Sequence, residues 1–322
     1  MPVYNGASYV REAIDSILSQ TYNNFEFLII NDGSTDNTEQ IVLSYDDERI
    51  RYIKNSENIK LIASLNKGLN LAEGKYIVRM DADDLSTPDR LKYLVDYMEQ
   101  HSECAVCGSW AETFPNGGIV EYPTNNNDIK FRMFNDMAVI HASTIIRKSS
   151  IANMCFDAEY AHAEDYDFFT RVIKSNKIAN IPNVLYKIRH HPSQVSEVFH
   201  KIQQDNSLKV RKNIFRYINT IITDELLSDY SHLCYQEYRS VSESPIKIKE
   251  LLQSMIKGNE QTGYIEKDFF NNKVKEIWFH YTYNNGLYKE YHYTPELKLE
   301  KYICPGIKLR FIIRRFLNYF EK

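Results

Sequence analysis

Residues 79–90 read RMDADDLSTPDR, which sets three carboxylates, Asp81, Asp83 and Asp84, within four positions. Like charges that close disfavour one another's ionised form, so the segment calls for a compensating positive charge. A hard divalent cation supplies one: Mg2+ or Mn2+ takes oxygen ligands, and its charge offsets the repulsion among the aspartates. An EF-hand calcium loop is the competing cation site and fails on spacing. Counting from Asp81 puts Leu85 at an oxygen-ligand position, Ser86 where glycine belongs and Lys92 where glutamate belongs. The other competing account is that Asp83 and Asp84 only precede a helix whose N-terminal dipole favours negative charge. Magnesium is commonly held by one or two carboxylates together with a substrate's phosphates, so the cluster implies a phosphorylated ligand. Neither GxGxxG nor GxxxxGKS/T occurs, which argues against a dinucleotide oxidoreductase and a P-loop enzyme. Charge neutralisation by a cation can stand in for those glycine cradles.

The elements that must position the cluster alternate along the first half of the chain. SYVREAIDSIL spaces Val10, Ala13, Ile14, Ile17 and Leu18 as one helix face, and FEFLII follows as a short apolar strand. After the turn NDGS come the helix TDNTEQIVLSY, with Asp36 and Glu39 spaced as a capping box, the strand RIRYIKN and the helix LIASLNKGLNLA. KYIVRM is the next strand, and Thr87 with Pro88 is expected as N-cap and first residue of the helix PDRLKYLVDYMEQH. Such alternation predicts an α/β fold with a mostly parallel sheet covered by helices. Ligands bind such sheets at the carboxyl ends of their strands, where both NDGSTD and DADD fall.

The bulk numbers allow this. The 322 residues are 43% hydrophobic and 25% charged, enough for one large domain plus an appendage. A net charge of -4 and a pI near 6.2 provide no broad basic field, so nucleic acid is not an expected partner. Five cysteines form no evident disulfide framework and suit a reducing compartment, with the cytoplasm the default. Cys104 and Cys107 make a CxxC, but CAVCGSW reads as a buried strand and no second pair completes a zinc site. No run of 18 apolar residues and no signal-peptide pattern occurs, so neither a membrane span nor export by that route is expected.

PVYNG at 2–6, NDGSTD at 31–36, LNKGLNLAEGKYI at 65–77, DADD at 81–84, AEDYDF at 163–168 and the spaced Arg189, His191, Gln194 and Ser196 stand in the order seen in family 2 glycosyltransferases, which the first 200 or so residues resemble. The resemblance implies a GT-A fold (a Rossmann-like, mostly parallel sheet flanked by helices), a nucleotide-sugar donor, usually a UDP-sugar, and inverting transfer to an acceptor hydroxyl. It implies that Asp32 accepts the uracil N3 proton, that Pro2, Val3 and Tyr4 line the base pocket, and that Lys60 is a weaker candidate there. Asp81 matches the position near the ribose and Asp83 the carboxylate on the cation, with Asp84 spare. Asp165 matches the base that takes the acceptor's proton, with Glu164 orienting it. His191 matches a segment that returns to diphosphate and metal, His190 is the neighbouring alternative, and His141 matches a supporting position on the acceptor side.

Two readings compete with catalysis. The family pattern opens with an apolar strand ending in PVYN, whereas Met1 here directly precedes Pro2, so the first strand is nearly absent. A strand at that place sits inside the sheet, and its loss exposes unpaired backbone and removes packing. Either the start lies upstream, or another segment fills the slot, or the fold is weakened. A weakened fold could survive as a non-catalytic nucleotide-sugar-binding subunit. A sugar nucleotidyltransferase is the third reading, but it wants a glycine-rich loop after its first strand and PVYNG has one glycine.

The expected organisation is a catalytic domain over 1–200 and a mostly helical accessory region over 201–322, with helices at SLKVRKNIFRYINTII and at the Ser-Pro entry of SPIKIKELLQSMIKG. The last stretch, 305–322, mixes Ile307, Phe311, Ile312, Phe316 and Phe320 with Lys308, Arg310, Arg314 and Arg315. That composition suits an amphipathic helix on the inner face of an anionic membrane, where a lipid-linked acceptor would be found, or one packed against the protein body.

Overall fold

The computed structural model describes residues 1–115, 117–191, 199–292 and 294–297. Two compact units divide the chain: Met1–Ile129 with Met137–Val210, and Lys130–Asp136 with the residues from Arg211 onward.

The first unit opens with β1 (Pro2–Val3), α1 (Val10–Leu18), β2 (Phe27–Asn31), α2 (Thr38–Leu43), β3 (Ile50–Lys54) and α3 (Leu61–Leu71). It continues through β4 (Tyr76–Val78), β5 (Leu85–Ser86), α4 (Arg90–Gln100), β6 (Cys104–Phe114), β7 (Ile119–Val120), α5 (Asn126–Arg132), β8 (Ile145–Arg147), α6 (Glu164–Ile173) and β9 (Lys177–Arg189). The α/β architecture is as expected, with a sheet that contains parallel pairs flanked by helices, yet the strands fall into two sheets. One is parallel, β1-β2-β3; the other runs β4-β8-β6-β9-β5, with β7 beside β6. In the second sheet only β6 and β9 run parallel, from Cys104↔Lys177 to Phe114↔Arg189, and the end of β9 also pairs antiparallel with β5 at Leu85↔Lys187.

Side-chain spacing explains the helices. Val10, Ala13, Ile14 and Ile17 of α1 are buried with Phe27 and Ile29 of β2, as a 3.6-residue stripe requires. In α4 the stripe is Arg90, Leu91, Leu94 and Met98, so an arginine sits on the buried face. Cys104 and Cys107 are free and buried in β6, and burial pushes the Cys104 thiol up to about 11, leaving neither suited to bind metal.

Two caps differ from expectation. Asp36 and Glu39 do not form a capping box: Asn37 is the N-cap of α2, Asp36 serves the neighbouring loop, and Glu39 pairs with Lys54 at 2.6 Å. Thr87 is not the N-cap of α4, which starts after Asp89; its hydroxyl donates to the Leu185 carbonyl at 3.2 Å, a tertiary partner that outbids the local one.

The second unit comprises residues 130–136, residues 211–216 of α7 (His200–Arg216), α8 (Asp224–Cys234), α9 (Pro245–Thr262), α10 (Lys267–Asn284) and the short α11 (Tyr288–His292). Ser244 caps α9 with Pro245 at its first turn, as the Ser-Pro entry predicts. Aromatic rings fill its core: Phe134 meets Phe215 at 5.0 Å and Phe215 meets Tyr230 at 5.3 Å, both edge to face.

Candidate active site

The C-terminal ends of β1 and β2 are locked into one structure by the loops that follow them. Asp32 N–H donates to the Val3 carbonyl at 2.8 Å, continuing the strand ladder. Beyond it, Asn5 N–H donates to Ser34 Oγ, Thr35 N–H to Asn5 Oδ1, Gly6 N–H to Thr38 Oγ1 and Ala7 N–H to Asp36 Oδ2, all at 2.8–3.0 Å. PVYNG and NDGSTD are therefore the two halves of one double loop. Gly33 is needed there: its φ is +71°, and a Cβ would stand 2.6 Å from the Glu57 carbonyl carbon. Asp32 is 3% exposed, and its Oδ1 accepts from Asn55 Nδ2 at 2.8 Å and Ile59 N–H at 3.0 Å, which fixes the segment leading to α3. Lys60, at φ +73°, begins α3 with an exposed side chain, and Tyr4 is also exposed beside the loop. Pro2, Val3, Tyr4, Asp32 and Lys60 thus cluster at the ends of three parallel strands.

The acidic cluster lies on the chain leaving β4. Each of its carboxylates has a different partner. Asp81 Oδ1 accepts from Arg79 Nη2 at 2.5 Å, and its N–H donates to Tyr186 Oη. Asp83 Oδ2 lies 3.0 Å from His191 Nε2. Asp84 is buried and accepts from Arg189 N–H at 2.8 Å. Burial first, then the charges of Asp81 and Asp83, push the Asp84 carboxyl up to about 8, and burial with the Asp81 charge raises Asp83 as well. β9 delivers the counterparts: Tyr186 is within the strand, Arg189 ends it, and His191 follows two residues later, its ring tilted against Tyr9 at 5.0 Å between centroids. Arg189 also donates from Nη2 to Glu12 of α1 at 2.9 Å, and a Cβ on Gly6 would lie 4.0 Å from that of Ala82. The double loop and the acidic cluster hence meet at one edge.

Asp165 and Glu164 open α6. Glu164 is buried, and burial raises its carboxyl, with Arg79 opposing and Asp81 adding, so the start of α6 shares a charge neighbourhood with the acidic loop. Asp165 keeps part of its surface open; dense surroundings, then the Glu164 charge, push it up to about 7. His141 packs tilted against Phe156 and edge to face against Phe169, and its Nε2 lacks a partner. Burial and the Arg79 charge hold it well below the usual histidine range, hence neutral.

Two arginines escape a reading of motifs. Arg79 reaches Asp81 directly and acts electrostatically on Asp165, Glu164 and His141. Arg90, fully buried, donates to the carbonyls of Arg79 at 2.6 Å and Ala142 at 2.7 Å and lies over the Tyr186 ring at 4.6 Å. The available signal was an arginine at the first position of the apolar stripe 90, 94, 98. Gln194, Ser196 and the 305–322 stretch lie outside the described residues, and His190 contributes its backbone N–H to the Phe114 carbonyl.

For a divalent cation the donor set offers Asp83 and His191, converging at 3.0 Å, while Asp81 and Asp84 are turned to other partners. Among the described residues no group of three or more His, Cys, Asp or Glu side chains could hold a metal. Two protein ligands fit an ion whose remaining positions are taken by water and substrate phosphate oxygens.

Residues 1–154 match the model of Glycosyl transferase family 2. An uncharacterized glycosyltransferase of Haemophilus influenzae is 35% identical over 273 residues, covering 78% of this chain and 83% of that protein. The putative glycosyltransferase EpsE of Bacillus subtilis is 42% identical over 122 residues, 37% of this chain and 44% of its own. Staphylococcus aureus TarS 1-349 in complex with UDP-GlcNAc superposes with a TM-score of 0.59 at 17% identity, over 90% of both chains. The mannosyltransferase PcManGT of Pyrobaculum calidifontis, in complex with GDP-Man and Mn2+, gives 0.53 at 14% identity over 98% of this chain and 86% of its own. At those identities the two structures speak for the fold alone.

Proposed function

The chain belongs to the family 2 glycosyltransferases, and from that premise we propose that it moves a sugar from a UDP-sugar to an acceptor hydroxyl, with inversion and with help from Mn2+ or Mg2+, in building a surface polysaccharide or glycan. The observation that carries this reading is that Asp83 and His191 converge at 3.0 Å where the double loop meets the acidic cluster, while α6 opens with Asp165, whose carboxyl burial and the Glu164 charge push up to about 7. A base poised near neutrality is suited to taking a proton from an alcohol as it attacks.

In this reading Asp165 accepts the acceptor's hydroxyl proton while that oxygen bonds to the anomeric carbon and the bond from that carbon to the diphosphate breaks. Glu164 orients Asp165, and its own charge keeps that carboxyl basic. Asp83 and His191 hold the cation, which when bound supplies Lewis-acid relief of the charge left on the diphosphate. Asp32 accepts a hydrogen bond from the uracil N3–H, Pro2, Val3, Tyr4 and Lys60 surround the base, and Asp81 stands near the ribose, its carboxylate steadied by Arg79. Asp84 anchors Arg189, and His141, neutral, supports the acceptor side.

TarS is solved with UDP-GlcNAc and PcManGT with GDP-Man and Mn2+, so a nucleotide-sugar donor and a divalent cation are the ligands to assay first on this fold. No helix among the described residues is long and apolar enough to cross a membrane. We place the protein in the cytoplasm, with residues 305–322 resting on an anionic inner membrane face; liposome sedimentation of the full chain against one ending at Tyr302 tests this, and equal binding removes it.

A panel of nucleotide-sugars assayed for release of the nucleoside diphosphate, with Mn2+, Mg2+ or chelator, tests the central reading. Chelator-sensitive turnover with at least one donor, lost in Asp83→Ala, is expected. A folded protein that binds UDP-sugars and turns none over across a broad acceptor set would make it a binding subunit instead.

A further inference from the structure

Just past the ends of β2 and β3, Asp32 meets a side chain 23 positions further along the chain. Asn55 follows β3 directly and is 4% exposed; its N–H donates to the Asn31 carbonyl at 2.8 Å, so the ladder runs one step beyond the strand. Its amide nitrogen donates to Asp32 Oδ1 at 2.8 Å and to Ser64 Oγ at 3.1 Å. Its amide oxygen accepts from Lys67 Nζ at 2.6 Å. Ser64 and Lys67 stand three residues apart on α3 and so share one helix face, which brings both to the same amide.

These contacts leave the amide one orientation. An ammonium donates and never accepts, so the amide oxygen must face Lys67 and the nitrogen must face Asp32. Turned over, the amide would set an oxygen against the Asp32 carboxylate and its own N–H groups against the ammonium, two repulsive contacts in a buried place. The effect of Lys67 on Asp32 is thus carried by Asn55. At Asp32 both side-chain donors go to one oxygen: Asn55 Nδ2 and Ile59 N–H each reach Oδ1. Among the described residues none donates to Oδ2. A carboxylate enclosed to that degree needs a donor for its second oxygen, and this one stands at the carboxyl end of a parallel strand, where ligands of such sheets bind.

We propose that Lys67 and Asn55 are positioning residues that select the nucleobase: by engaging Oδ1 of Asp32 they leave Oδ2 to accept from a base that carries a ring N–H on its pairing edge. Uracil and thymine present such a proton at N3 and guanine at N1. Cytosine and adenine present a lone pair there, which a carboxylate oxygen repels. The inference rests on the UDP-sugar reading above and extends it to the residues that aim Asp32.

The test measures equilibrium binding of UDP and of CDP, each with Mn2+, to the full chain and to Lys67→Met and Asn55→Leu. Methionine is close to lysine in length and Lys67 is only half-buried, so Lys67→Met should fold even where the buried Asn55→Leu does not; melting curves check both. The unaltered chain is expected to prefer UDP by about a hundredfold, because CDP leaves an enclosed acceptor unpaired. In Lys67→Met the amide is free to turn, and the preference is expected to fall by about fivefold or more, through weaker UDP binding. A merely structural role would weaken both nucleotides alike. Binding of UDP with an unchanged ratio in a folded Lys67→Met overturns the inference alone, whereas an unaltered chain that binds neither nucleotide overturns the donor reading and this inference with it.

Discussion

At the scale of single residues, Asp165 sets the pH behaviour. Its carboxyl titrates at about 7 in the folded protein and near 3.9 when unfolded, so between those values the folded state holds the extra proton. Stability therefore falls as pH rises from about 4 through 7, since the unfolded state binds fewer protons there. Asp165→Asn cannot ionise and should melt above wild type at pH 8 but close to it at pH 4; solvent on the open side of the residue reduces the gap without reversing it. A melting-temperature difference that is the same at both pH values would contradict the assignment. Activity should run the other way, with kcat/KM rising through about pH 7 as the base ionises. The carboxylates were legible because their types and spacing carry the signal locally. Arg90 and Tyr186 were not, because each meets the cluster or its neighbours through contacts set by tertiary structure, as Tyr186 meets Asp81 at a separation of 105 residues; Arg79 stands only two positions before Asp81, but its reach to Glu164, Asp165 and His141 is likewise tertiary.

At the scale of elements, the double loop after β1 and β2 is the device that presents the nucleotide end of the site. Asp36 holds it by accepting from Ala7 N–H and from both Thr38 N–H and its hydroxyl. Asp36→Ala should cost about 1–3 kcal/mol in denaturant unfolding, the cost of orphaning such donors, and should weaken donor binding more than it slows turnover. Gly33→Val should be worse still, because it combines a positive φ with overlap against the Glu57 backbone. A thermal melt within 1 °C of wild type for Gly33→Val would show that the loop is not held as described. Helices and strands were readable from periodicity, since a buried stripe at 3.6 residues or a short apolar run leaves few alternatives. Helix starts were not, because Thr87 and Asp36 found partners in β9 and the β1 loop that no local rule anticipates. The division of the strands into two sheets was foreshadowed by the short β1, though the sequence left open what a missing strand would do.

At the scale of the molecule, the binding of nucleotide and cation should appear as one linked event. If Asp83 and His191 provide the protein's only ligands among the described residues, the ion is completed by the diphosphate, and each stabilises the other's site. UDP with Mn2+ should raise the melting temperature, while UDP with chelator, or the pair added to Asp83→Ala, should raise it far less. The partition into units shows what patterning cannot reach. Residues 130–136 include the end of α5, yet they group with the C-terminal helices, as Lys130 donates to the Tyr264 carbonyl at 2.7 Å across 134 positions. The most direct test of the catalytic account is a paired measurement on Asp165→Asn with Mn2+ and the active donor: equilibrium binding of the nucleotide-sugar and its transfer rate. The account predicts a dissociation constant within a few-fold of wild type and a rate lower by about 10²–10⁴. Transfer at the wild-type rate by that variant would contradict it.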